Sequence, residues 1–165
     1  MPPHRVDVPQ TAGGACVITD YFDAIAVGDE HVSMARTVTE TDIVTFAMFT
    51  GDWHPAHTDV TYAESDPVFG GRVAHGALVL SVALGLVTFW PQAMKAFYGI
   101  DRLRFVTPTR IGDTIRVRTV VTDKTPRGDG TGVVTSDFTV LNQRDETVVA
   151  ASLKTLVTER TGVRS

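Results

Sequence analysis

Residues 77–90 form the longest apolar run of the chain, and no charged side chain interrupts them. Such a run must leave water, either in a bilayer or inside a fold. Crossing a bilayer takes about 20 apolar residues, whereas this run is closed by Pro91 and followed by Gln92 and Lys95. The expectation is therefore a helix over 77–89, buried on nearly all sides and introduced by Val73-Ala74-His75-Gly76. Beyond it the pattern changes period. Residues 98–106, 113–124, 133–142 and 147–158 are rich in Val, Thr, Ile and Phe, and Gly, Pro, Asp and Asn separate them. Four strands in succession imply antiparallel pairing, with hairpin loops at 126–130 and 142–145. An apolar helix that needs cover and a sheet that needs something apolar to wrap define an α+β class: an antiparallel sheet around a long central apolar helix.

Upstream of that helix the segments are shorter. Residues 21–27 lead to the turn pair Gly28-Asp29, and 31–38 read as the first strand. Thr39-Glu40-Thr41-Asp42 sets a hydroxyl three residues before a carboxylate, and Ile43, Val44, Phe46, Ala47 and Phe49 then follow at helical spacing. The helix should end near Thr50, closed by Gly51. Pro55 pushes His54 towards extended geometry, so 51–57 reads as a loop. Thr58 or Asp59 is placed to cap a short helix reaching Glu64, and Asp66-Pro67 with Gly70-Gly71 mark a second loop.

A chain of 165 residues suits one domain, expected over 20–158, with a flexible N-terminal tail at 1–19 and a C-terminal tail at 159–165. Nineteen acidic side chains outnumber fifteen basic ones, and no basic run interleaves with aromatics, which argues against nucleic acid as a partner. Cys16 is the only cysteine, so there is no internal disulfide and no CxxC pair for zinc or redox chemistry. With no apolar signal-like segment in 1–15, the expected location is cytoplasmic, without a membrane association.

Three of the five histidines, His54, His57 and His75, fall near Asp52, Asp59 and a glycine pair. Adding water to a double bond conjugated to a carbonyl needs a group that takes a proton from water, one that delivers a proton to the α-carbon, and donors for the enolate-like oxygen. Asp52 and His57 have the chemistry for the first two tasks. The first N–H groups of the apolar helix lack intrahelical partners and carry the positive end of its dipole. Gly76 there, having no Cβ, lets a thioester carbonyl come close. Each element also has a plainer reading. Gly51-Asp52 is a common turn pair, His75 a common kind of hydrogen-bonded structural histidine, Asp59 a helix cap and Trp53 a packing residue. His54 and His57 have HxxH spacing, but no motif offers a clear third ligand, so no metal is expected.

Gly51-Asp52-Trp53-His54-Pro55-Ala56-His57-Thr58-Asp59, followed by Phe69-Gly70-Gly71-Arg72-Val73-Ala74-His75-Gly76, resembles the MaoC-like dehydratase family and its R-specific enoyl-CoA hydratases. The family pattern is roughly G-D-x-N-P-x-H-x-D with a later V-x-H-G, and the resemblance runs from about Tyr21 to Thr158. It implies a hot-dog fold, usually dimeric, and reversible hydration of a trans-2-enoyl-CoA to the (R)-3-hydroxyacyl-CoA. By the same resemblance the catalytic pair falls on Asp52 and His57, and the thioester-carbonyl donor on the Gly76 backbone N–H. The substrate it implies is an acyl-CoA or acyl-carrier thioester, the expected partner a second copy of the chain, and no cofactor is expected beyond coenzyme A as part of the substrate. Two departures stand out. His54 replaces the usual Asn, and Leu84 occupies the position where some members carry a helix serine, leaving Ser81 or Thr88 as substitutes. His54, His75 and Ser81 are therefore auxiliary candidates. A hot-dog thioesterase and a noncatalytic acyl-thioester-binding or partner subunit are the competing functions. Arg102, Arg104, Lys124 and Arg127 are scattered cations within reach of a phosphate-bearing carrier only if the fold gathers them.

Overall fold

The computed structural model describes residues 16–18 and 20–160. The expected tail segments 1–15, 19 and 161–165 lie outside the described residues. In chain order the elements are β1 (Cys16–Ile18), β2 (Glu30–Val32), β3 (Arg36–Thr37), α1 (Glu40–Thr50), α2 (Pro55–Thr58), α3 (Val60–Ser65), α4 (Gly76–Leu86), β4 (Thr88–Phe89), β5 (Met94–Phe105), β6 (Thr114–Pro126), β7 (Thr131–Leu141) and β8 (Thr147–Thr158). The main sheet is antiparallel, with spatial order β2-β6-β7-β8-β5, and β3 pairs with β6 beside β2.

The sheet follows from period-2 burial. Along β7, buried residues alternate with half-buried or exposed ones from Thr131 to Leu141, which puts Val134, Phe138 and Val140 on one face. Val117 and Val121 of β6 and Val149, Leu153 and Val157 of β8 share the core with them. Leu78, Val79 and Ala83 of α4 complete that core. The four expected long strands are all present, with β5 beginning earlier, at Met94. Capping at α1 follows the sequence pattern: Thr39 accepts from the Asp42 N–H, and the Asp42 carboxylate accepts from the Thr39 N–H.

Several expectations are corrected. The strand at 31–38 is broken into β2 and β3 because the Ser33 hydroxyl intervenes in the ladder, accepting from the Val117 N–H at 2.8 Å. The central helix stops at Leu86 instead of Phe89. Its β-branched continuation, Val87-Thr88, turns extended, and β4 pairs in parallel with β1. Cys16–Ile18, assigned to the tail, is thus a strand, and Ile18 is fully buried. A strand of three residues is too short to show periodicity. Nor is α4 covered on nearly all sides: Ala77, Ser81 and Gly85 form an exposed line along it. No helix among the described residues is long and apolar enough to cross a membrane.

Burial on one face of α4 makes a direct prediction. Leu78→Ala should cost about 2–5 kcal/mol of unfolding free energy, whereas Ser81→Ala on the open face should stay within about 0.5 kcal/mol. Urea unfolding of both variants checks this.

Candidate active site

Gly51 ends α1 in the left-handed region, φ 77°, and its N–H donates to the Ala47 carbonyl at 2.8 Å. That reversal of chain direction puts Asp52 just beyond the helix. Three residues on, Pro55 takes the first position of α2, where a missing N–H costs nothing. His54 caps this turn, its Nδ1 accepting from the Ala56 N–H at 3.2 Å. Asn and His both offer an N-cap acceptor, which gives His54 a physical task at the position of the family's Asn. The loop expected over 51–57 is consequently shorter. His57 lies in a helical turn, because the proline and the cap start one at Pro55. Asp59 caps α3, accepting from the Tyr62 N–H, as the pattern indicated.

Two backbone ties dock this turn on the segment that leads into α4. The Val73 N–H donates to the Ala56 carbonyl at 3.1 Å, and His57 Nδ1 lies 2.7 Å from the Val73 carbonyl oxygen. A carbonyl only accepts, so Nδ1 of His57 carries a proton. In the neutral ring, Nε2 then holds a free lone pair. Beside it, His75 is 2% exposed and stacks on His57 with ring centroids 3.8 Å apart and an interplanar angle of 29°. Nε2 of His75 donates to the Asp52 carbonyl oxygen at 3.0 Å and lies 4.0 Å from its carboxylate. Phe46 packs at 5.0 Å from the His75 ring.

One polar atom from each of Asp52, His57 and His75 lies within 4.8 Å of the others. That spacing admits a water held by two hydrogen bonds. The same triple has the composition of a metal site but an unfavourable arrangement. The two imidazole rings stack face to face at 29°, whereas zinc needs nitrogens converging on one point at about 2.0–2.1 Å. One nitrogen of each ring is also committed to a backbone carbonyl.

A cleft of about 470 Å³ opens next to His57 and Gly76, with walls that include Phe69, Val79, Phe105 and Val148. It is largely apolar, as small-molecule clefts usually are. Gly76 is the first residue of α4, so its N–H has no intrahelical acceptor, and the His75 side chain does not cap it. A Cβ on Gly76 would come within 2.9 Å of the Phe105 ring, so the close packing there depends on glycine.

The fold thus brings Asp52, His57, His75 and Gly76 together. Ser81 is placed apart from them. Its hydroxyl donates to the Ala77 carbonyl at 2.8 Å, and it does not line the cleft. None of Arg102, Arg104, Lys124 and Arg127 lines it either. Arg102 bonds Ser152, and Lys124 bonds the Ile25 carbonyl. A wider depression of about 680 Å³ on another part of the sheet contains Arg102 and Lys154 but none of the histidines. The Val73 carbonyl and Phe105 were missed from sequence. A backbone oxygen has no residue-type signature, and Phe105 reads as one more strand residue.

Comparison with known proteins places the chain in a family. It folds as a hot-dog protein: a double hot-dog protein from Mycobacterium tuberculosis superposes with a TM-score of 0.77, at 22% identity, over 88% of this chain and 46% of that one. The model of the MaoC-like domain matches residues 25–143, and the chain belongs to the MaoC-like dehydratase family. It is 38% identical to an (R)-specific enoyl-CoA hydratase of Rhodospirillum rubrum, over 67% of this chain and 75% of that protein. It is 43% identical to protein MaoC of Klebsiella aerogenes over 64% of this chain, a match spanning only 31% of that longer protein. A structure described as the monoamine oxidase regulatory protein from Archaeoglobus fulgius superposes with a TM-score of 0.81 and 41% identity, covering 86% of this chain and 95% of that one.

Burial lowers the pKa of His57 below its ordinary 6.5, outweighing the Val73 hydrogen bond that raises it; His75 and His54 add to the lowering, and Asp52 opposes it. The unfolded chain therefore takes up this proton first. Stability linked to His57 is complete above about pH 6.5 and is lost as pH falls towards the lower folded value. An NMR titration should give His57 a midpoint below 6.5, and His57→Gln should flatten that part of the stability–pH curve.

Proposed function

We propose that the chain reversibly hydrates a trans-2-enoyl thioester, with coenzyme A as the thiol, to the (R)-3-hydroxyacyl thioester. The observation that carries this reading is the grouping of a His57 ring nitrogen and an Asp52 carboxylate oxygen within 4.8 Å, with His57 and Gly76 both lining the cleft. Water bound between Asp52 and His57 loses one proton to the pair as its oxygen bonds C3. The pair returns one proton to C2, so H and OH are added and both side chains end as they began. His57, neutral at pH 7 through burial, is equipped to accept. As electron density moves onto the thioester oxygen, the Gly76 N–H and the positive end of α4 stabilise it. The thioester already acidifies the α-proton, so the reaction needs no metal or redox cofactor. The (R) outcome and the CoA thioester rest on the likeness to the Rhodospirillum hydratase.

The working unit in this reading is a homodimer. Among the described residues β5 pairs only with β8 and its other edge is open, and Phe97, Tyr98 and Phe105 along it are 41%, 54% and 53% exposed. An open edge with exposed aromatics is a surface that a second copy can cover.

A chain-length series of trans-2-enoyl-CoA substrates, with chiral analysis of the product, tests the proposal. Loss of enoyl absorbance without thiol release and formation of the (R) alcohol are expected. Asp52→Ala and His57→Ala should each lower kcat/KM by about 10²–10⁴-fold. Release of free thiol would instead identify a thioesterase, and no turnover at any chain length a binding or partner subunit.

A further inference from the structure

His75 has no task in the proton transfers above, yet its setting is unusual for a packing residue. It is 2% exposed, and its Nδ1 is buried without a hydrogen-bond partner among the described residues. A buried polar atom left unpaired is unfavourable, and a Phe or Leu would fill the same space without it. What His uniquely brings is the other nitrogen.

That nitrogen holds the Asp52 carbonyl oxygen at 3.0 Å. The remaining ties of the 51–54 segment are local and mostly long. The Asp52 N–H reaches Thr50 Oγ1 at 3.3 Å, the Trp53 N–H the Gly51 carbonyl at 3.2 Å, and the His54 N–H Asp52 Oδ1 at 3.3 Å. Thr58 Oγ1 reaches the Trp53 and His54 carbonyls at 3.3 Å each. Among the described residues, the His75 bond is the one hydrogen bond joining 51–54 to a distant part of the chain. The face of the same ring stacks on His57, and the next residue is Gly76.

We infer that His75 is a positioning residue that ties Asp52, through its backbone carbonyl, and His57, through ring stacking, to the chain segment carrying the Gly76 N–H. The inference rests on the hydratase reading for its catalytic consequence, but the tie itself does not. Holding reacting groups in register is where distant side chains influence rate, since a displacement of about 1 Å can cost about 100-fold.

Two substitutions separate the donor from the ring. His75→Phe keeps an aromatic face and removes the N–H. His75→Gln removes the ring but returns an amide N–H at the same number of bonds from Cα. In the hydratase assay, His75→Phe should lower kcat about 100-fold, with KM changed much less, and His75→Gln should recover at least about tenfold of that loss.

A readout independent of turnover comes from ¹⁵N NMR. Wild-type His75 should show the Nε2–H tautomer. Amide order parameters at Asp52 and Trp53 should fall in His75→Phe and recover in His75→Gln. A folded His75→Phe with wild-type kcat and order parameters overturns the inference, as does a His75→Gln no better than His75→Phe in both measurements. If the wild type turns over no enoyl thioester, the hydratase reading fails, and the order parameters alone decide whether His75 holds the Asp52 segment.

Discussion

An eleven-residue helix without a charged side chain, α4, has no stable place in water, and the curved sheet gives it one. Leu78, Val79 and Ala83 share one core with Val117, Phe138, Val149 and Leu153 from three neighbouring strands. Burying each large aliphatic side chain contributes about 1.5–3 kcal/mol. The N-terminus of α4 is fixed by that packing, and with it the position of the first unpaired N–H groups. Every polar group of the site is arranged around this end of the helix.

The polar side of the arrangement is held by backbone atoms. His57 is oriented by the Val73 carbonyl, the Ala56 carbonyl accepts from the Val73 N–H, and Ala74 donates to the Thr109 carbonyl at 2.8 Å. A short stretch preceding α4 therefore serves as a strip to which the Asp52–His57 turn is fastened on one side and the rest of the fold on the other. Backbone anchors of this kind fix the tautomer of a histidine as well as its position.

Much of this was legible in the sequence. The capping pattern at Thr39–Asp42, the stop at Gly51 and the four long strands depend on local residue chemistry, and they occur where the pattern places them. Asp52, His57 and Gly76 were visible as a constellation, and the fold brings them to one place. Other features depended on partners distant in sequence. The Ser33 break answers to Val117, and the early end of α4 to the pairing of β4 with β1. His75 was visible as a hydrogen-bonded structural histidine and an auxiliary candidate at the helix start, but its stacking on His57 and its bond to a main-chain oxygen leave no trace in spacing.

The cleft divides its labour by chain segment. His57 and Gly76 come from the turn at Pro55–Thr58 and the start of α4, whereas Phe105 and Val148 come from β5 and β8. Remodelling Phe105 or Val148 changes the wall and leaves the turn's anchors at Val73 and His75 in place. A scaffold built this way separates what it accepts from what it does. Laboratory evolution of what the cleft admits therefore has its natural starting positions on the two strands, away from the histidines.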